Sequence, residues 1–336
     1  MLLNFLTALL GLIAAPISYS ASPIPAAFTF NGSGFGHGVG LSQIGAKGMA
    51  IAGKSAVDIL QYYFPGTQIT PIVDTATLKV NIAHQENSLK IDLRSAETAP
   101  DPTSQLIISD NNSQISNFPS GYKLNATISK AGITLASIND SGVISTIGTN
   151  QYWKINWTGN NSYVGVTVSS STTLLKYGYL ELFANPGQDK VMRIEAVTDL
   201  SLHDQYLLGL GEVSNGWLPA AVEAQTIASR TYAYLRKDKI RPECECNLYA
   251  TKYDQSFVGY AKEMMYWSNQ YQQDVVATDS APNEGLIITY QNKPINVYYF
   301  SSDGGFTQNS KDVWGVAEPY LISVPDPYSL RDRKST

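Results

Sequence analysis

Residues 72–200 are written in short β-branched runs separated by turn clusters, and this pattern restricts the fold more than any other feature of the chain. The runs fall at 78–83, 89–93, 105–109, 152–157, 163–169 and 174–183. Segments this short, with apolar residues on alternate positions, suit antiparallel strands that place one face on a core and the other in water. The stretch therefore predicts an all-β insertion or domain.

Helical periodicity flanks it on both sides. Upstream, at 28–70, a Gly-rich loop leads into a predicted helix carrying Ile44, Met49, Ala50, Ile51, Ala56, Ile59 and Leu60, which ends at the Pro65-Gly66 turn. Downstream, in 201–330, Asn215 is placed to cap a helix with Pro219 in its first turn. Ala221, Ala224, Gln225, Ala228, Thr231, Tyr232 and Leu235 then share one stripe. A strand pair is predicted at 286–290 and 295–300, around the turn 291–294. The fold class is α+β, with a β-rich antiparallel region inserted beside a mixed helix and strand domain.

The chain has 336 residues, of which 15% are charged, with a net charge of −5. Clustered Lys and Arg are lacking, so there is no electrostatic footprint for nucleic acid. The first residues, 2–17, are almost continuously apolar and are followed by Ser18-Tyr19-Ser20-Ala21. This reads as a signal peptide over 1–21, too short and interrupted to be a stable membrane span, and it implies export. Cys244 and Cys246, one residue apart, read as a pair of loop thiols, and no metal ligand set forms around them.

Two motifs invite a nucleotide reading, and both fail. Residues 48–55 (GMAIAGKS) fit the phosphate-loop spelling, but 49–52 continue an apolar helix and no strand precedes them. The run Gly34-Phe35-Gly36-His37-Gly38-Val39-Gly40 has no dinucleotide-binding register. Its alternating glycines instead allow a close backbone approach and free His37 to point into a cleft.

Tyr206-Leu207-Leu208-Gly209-Leu210-Gly211-Glu212, Trp217 and the segment 223–233 (EAQTIASRTYA) resemble the signature of the SpoIID family, which includes the LytB amidase enhancers. Three further blocks fit it: 36–43 (GHGVGLSQ) with 62–67 (YYFPGT), the stretch 251–259, and 301–307 (SSDGGFT) with Trp314. The glycine-histidine block comes first, an order resembling actinobacterial versions.

The resemblance implies a secreted lytic transglycosylase that cleaves MurNAc-GlcNAc links in peptide-stripped peptidoglycan strands, with Glu212 as general acid and then base. Leu207, Leu208, Leu210, Val213 and Trp217 surround Glu212 in sequence, an apolar setting that raises a carboxyl pKa. Gln225, Arg230, Tyr232, His37, Ser301, Ser302, Gly304 and Gly305 are the implied substrate-binding residues. Tyr249, Tyr253 and Asp254 stand where metal-bearing members have Cys and His, so neither metal nor cofactor is expected. The alternative is a non-catalytic peptidoglycan-binding module that stimulates a cell-wall amidase. A water-using muramidase, with Asp204, Glu223 or Asp303 as second carboxylate, is a third reading.

Overall fold

The computed structural model describes Ala27 and residues 33–96, 101–110 and 114–329; the apolar leader at 1–21 lies outside them. The fold is α+β, with several mostly antiparallel sheets. A seven-stranded sheet runs in the order Leu248–Tyr249, Thr77–Glu86, Met192–Ser201, Leu180–Pro186, Tyr152–Thr158, Gln105–Ser109, Gln114–Pro119. Only the Leu248–Tyr249 strand, on Thr77–Glu86, is parallel. A six-stranded antiparallel sheet runs Ser171–Leu175, Ser162–Val168, Ser88–Ser95, Lys123–Ser129, Gly132–Ile138, Ile144–Asn150.

The alternation in the sequence is the reason these strands form. Leu89 and Ile91, Leu106 and Ile108, Leu124 and Ala126 each place side chains two apart into a common core with Trp153, Ile155, Val164 and Leu182. Trp153 is fully buried, and its indole N–H donates to the Ile133 carbonyl of the other sheet at 2.9 Å. The run predicted as one strand over 174–183 is two strands, Ser171–Leu175 and Leu180–Pro186, which belong to different sheets. The chain turns between them at Gly178.

The predicted upstream helix is also two: α1 (Gln43–Ile51) and α2 (Ala56–Tyr63). Ser55 and Asp58 form a capping box that starts α2. The N–H groups of Gly53 and Lys54 donate to Ala50 and Met49 carbonyls at 3.0 and 3.1 Å. The amides that a phosphate would need are therefore spent on ending α1.

Helix α3 (Pro219–Tyr234) has Pro219 in its first turn as predicted, but its N-cap is Leu218. Asn215 is buried instead, its amide donating to the Lys262 carbonyl at 3.2 Å. Helix α3 lies between two cores: Val222, Tyr232 and Ala233 face the sheets, while Ala221, Ala224, Ile227 and Ala228 face Leu41, Ile59, Leu60, Ile288 and Val297. Alanines allow that close approach on both sides. Thr231 accepts the Ile288 amide at 2.9 Å, so one polar residue of the stripe is a core hydrogen bond.

The strand Glu284–Tyr290 pairs chiefly with Gln68–Val73, and only Lys293–Pro294 completes the predicted hairpin. Tyr299–Phe300 leaves to pair, in parallel, with Leu41–Ser42. Helices α4 (Ser268–Val276) and α5 (Ser310–Trp314) complete the set. Cys244 and Cys246 are joined in a disulfide, not held as thiols. Glu245 between them has φ 53°, which folds the chain back and brings the two Cα atoms to 5.2 Å.

Candidate active site

Glu212 follows two tight turns, Leu202–Tyr206 and Leu207–Gly209, whose Leu202, Tyr206 and Leu207 are sunk in the core. The segment 209–212 is then strapped to 256–258: Gly211 N–H donates to Ser256 C=O at 2.8 Å, and Val258 N–H to Gly209 C=O at 2.8 Å. This strap aims the Ser256 N–H at Oε1 of Glu212, at 2.6 Å. Tyr299 Oη donates to the same oxygen at 3.0 Å.

Burial raises the Glu212 pKa, and the Ser256 amide, the Tyr299 hydroxyl, Gln43 and the Lys262 charge oppose that rise. The Lys262 side chain is itself buried, donating to the Val213 carbonyl, and is lowered to about 8 by desolvation. Oε1 accepts from both Ser256 N–H and Tyr299 O–H, so Oε2 is the oxygen better placed to carry an acid proton.

Two grooves meet at this carboxyl, of about 480 and 560 Å³, and share Gln43, Glu212 and Ser301. The first is walled by Phe35, His37, Tyr232, Tyr253, Tyr298 and Trp314. The second is walled by Val213, Trp217, Lys262, Met265, Tyr266 and Trp267.

The glycine-histidine block reaches the first groove because its backbone presses on the strand after residue 297. A Cβ on Gly40, at φ 81°, would stand 2.2 Å from the Tyr298 carbonyl oxygen. His37 lines the groove: Nδ1 accepts the Val39 N–H at 3.0 Å, and the ring also bonds to the Tyr299 backbone. Burial lowers its pKa, so it is a neutral wall, packed 5.1 Å from the Trp314 ring.

Tyr232 lines the same groove, its hydroxyl donating to Asp254 Oδ1 at 2.7 Å. Gln225 is buried behind the wall and reaches Glu212 only through Gln43, whose amide nitrogen lies 3.4 Å from Gln225 Oε1 and 3.4 Å from the Glu212 carbonyl. Gln225 Nε2 donates to Ser229 Oγ at 3.1 Å.

Arg230 is not in the site. Its side chain is fully buried, 2.9 Å from Asp74 and 2.8 Å from Asp279, and it donates to Thr278 Oγ1 at 2.7 Å. Ser302, Gly304 and Gly305 line neither groove. Ser302 exchanges backbone hydrogen bonds with Phe35, and Gly305 N–H donates to Asp303. These residues hold the glycine-rich loops together beneath Ser301.

Asp254 accepts from Tyr232 and Arg241 on Oδ1 and from the Tyr249 amide on Oδ2. No group of three or more His, Cys, Asp or Glu is arranged to hold a metal ion among the described residues. Asp204, Glu223 and Asp303 line neither groove.

The sequence reading assigned no role to Tyr299, Gln43 and Gln255. Tyr206 Oη donates to Gln255 Oε1 at 2.8 Å, and Gln255 Nε2 donates to Tyr299 Oη at 3.0 Å. Gln43 and Gln255 sit inside the matched blocks and Tyr299 two residues before one, the one signal that marked them.

Residues 191–290 match the SpoIID family model, described as a stage II sporulation protein; they include Glu212 and Gln255 but not His37 or Tyr299. Stage II sporulation protein D of Bacillus amyloliquefaciens is 30% identical over 138 residues, 39% of this chain and 40% of that protein. Its Bacillus subtilis namesake is 28% identical over 189 residues, 52% of this chain and 55% of that protein. An amidase enhancer of Bacillus subtilis is 30% identical over 115 residues, 34% of this chain and 14% of that protein. The chain thus spans well under two thirds of each of these relatives. No solved structure matches it. Residues 191–290 thus carry a SpoIID domain, and the chain is similar to stage II sporulation protein D and to an amidase enhancer, the relatives expected of the SpoIID/LytB family.

Proposed function

We propose that this protein is a lytic transglycosylase acting on MurNAc-GlcNAc linkages of peptidoglycan, outside the cell, on strands stripped of peptide. One observation carries the reading: the Glu212 carboxyl, its pKa raised by burial, stands where two grooves meet, with no second usable carboxylate beside it. Among the described residues, the only other acid lining either groove is Asp254, and both its oxygens are already bonded. A glycoside hydrolase ordinarily needs a second carboxylate about 5 to 9.5 Å away, as nucleophile or as base for water. A transglycosylase needs one group that first gives a proton and then takes one.

The chemistry follows from the two oxygens. Oε2–H protonates the bridging glycosidic oxygen as the bond from muramic C1 breaks, leaving a free hydroxyl on the departing sugar and positive charge at C1. The new carboxylate is held by Ser256 N–H and Tyr299 O–H on Oε1. It then takes the proton of the muramic 6-hydroxyl as that oxygen closes on C1. The products are a 4-hydroxyl end and a 1,6-anhydro end, Glu212 is protonated again, and no water is consumed. Burial shifts the acid toward its protonated form while the two donors limit that rise, so one group can serve in both directions.

The test is mass spectrometry of glycan digested by the parent chain and by Glu212→Gln. Anhydromuramic ends that disappear in the variant support the reading. Reducing ends would replace it with a hydrolase. Binding without any product would leave the amidase-stimulating module, the activity named in one relative.

A further inference from the structure

Met264-Met265-Tyr266-Trp267, just before α4, is the longest run of exposed large apolar side chains among the described residues, with Tyr266 93% and Trp267 71% exposed. Surface of this kind is unfavourable in water and marks a place where something docks. The backbone adds a second observation. Trp267 sits at φ 66°, ψ 18°, in the left-handed region that a bulky residue rarely adopts.

The surroundings hold it there. Ser268 N–H donates to Met265 C=O at 3.3 Å, and Tyr271 N–H to Trp267 C=O at 3.0 Å. Gly216 faces the indole, and a Cβ there would come within 3.2 Å of Trp267 Cδ1. The strained turn thus lays the indole along the second groove, in the same wall as Met265 and Tyr266. That groove begins at Gln43, Glu212 and Ser301, so the aromatic rim is continuous with the acid.

We propose that Trp267, with Tyr266 beside it, is a stacking platform for a pyranose ring of the glycan strand, a binding subsite on the arm opposite His37. The proposal rests on the reading of Glu212 as acting on glycan. A sugar's axial C–H face is apolar and flat enough to cover an indole, while its rim hydroxyls stay wet. The occupant is a carbohydrate because the rim is the far wall of the groove that leaves the acid.

The experiment uses the full chain carrying Glu212→Gln, so that nothing is turned over. Peptide-free glycan oligosaccharides of two, four and eight sugars are titrated by calorimetry. Adding Trp267→Ala should weaken binding of the longest about tenfold, whereas Trp267→Phe should keep most of it. Alanine keeps the Cβ that makes φ 66° unfavourable, so Trp267→Ala relieves none of that strain, and its thermal melting is recorded to show that the variant is folded at the temperature of the titration. Unchanged affinity in Trp267→Ala overturns the platform and leaves the role of Glu212 standing. Failure of the Glu212→Gln chain to bind any oligosaccharide overturns both. Loss of binding to a purified cell-wall amidase, with glycan affinity intact, would overturn it in favour of a protein partner.

Discussion

Tyr299 donates its hydroxyl hydrogen to Glu212 Oε1 at 3.0 Å, and the direction is fixed because its oxygen already accepts from Gln255 Nε2 at 3.0 Å. The amide is oriented in turn by the buried Tyr206 hydroxyl, 2.8 Å from Gln255 Oε1. Three donors point one way, from the core to the carboxyl, and together they leave Oε2 as the oxygen better placed to carry a proton.

Tyr299→Phe removes the last of these donors. The Glu212 anion loses a hydrogen bond, so its pKa rises further, and Gln255 Nε2 is left without an acceptor in the core. We expect turnover to fall about tenfold and stability by about 1–2 kcal/mol. The pH–rate profile should move its alkaline limb upward instead of losing it, which separates this variant from Glu212→Gln.

In the proposed reaction Glu212 must enter protonated. The rate should therefore hold level below the raised Glu212 pKa and decline about tenfold per pH unit above it. Lys262, lowered to about 8, holds that pKa down with its charge. Lys262→Met should shift the alkaline limb to higher pH; a profile that stays in place would remove Lys262 from the acid's environment.

Arg230→Leu should damage the fold and spare recognition. Asp74, fully buried, would lose the guanidinium 2.9 Å away. Breaking one side of such a pair costs about 3–5 kcal/mol. Denaturant titration should register that loss, while the fraction that remains folded binds glycan as before.

Asp303 lies buried against Asp326, and desolvation pushes it up to about 6 from 3.8. The folded chain keeps a proton that the unfolded chain has released, so this stabilisation is complete below pH 3.8 and disappears as pH rises through about 6. Melting temperature should drop across that window. In Asp303→Asn, where the amide imitates the protonated acid and can still accept from Gly305 N–H, that drop should flatten.

The α+β class and the β-rich middle could be read from the sequence because a period of two persists over many short runs. Pro219 announced α3, and the leucines around Glu212 announced its apolar setting. What escaped was non-local. An arginine on an alanine-packed helix reads as a site residue until Asp74 and Asp279, distant in the chain, are seen to enclose it. Tyr299 and Gln43 acquire roles only when Tyr299–Phe300 lies beside Leu41–Ser42, a pairing no local pattern encodes. The disulfide needed a left-handed Glu245, an unusual backbone state that its sequence neighbours do not signal.

The parallel bridge between Leu41–Ser42 and Tyr299–Phe300 also sets the timing of assembly. A ribosome delivers the first of these segments long before the second. Until both have emerged, Glu212 has neither its tyrosine donor nor one wall of its cleft, so no shorter nascent chain can work as an acid. On the proposed reading, the chain is thereby unable to cut wall polymer until residues 299–300 have emerged and joined 41–42.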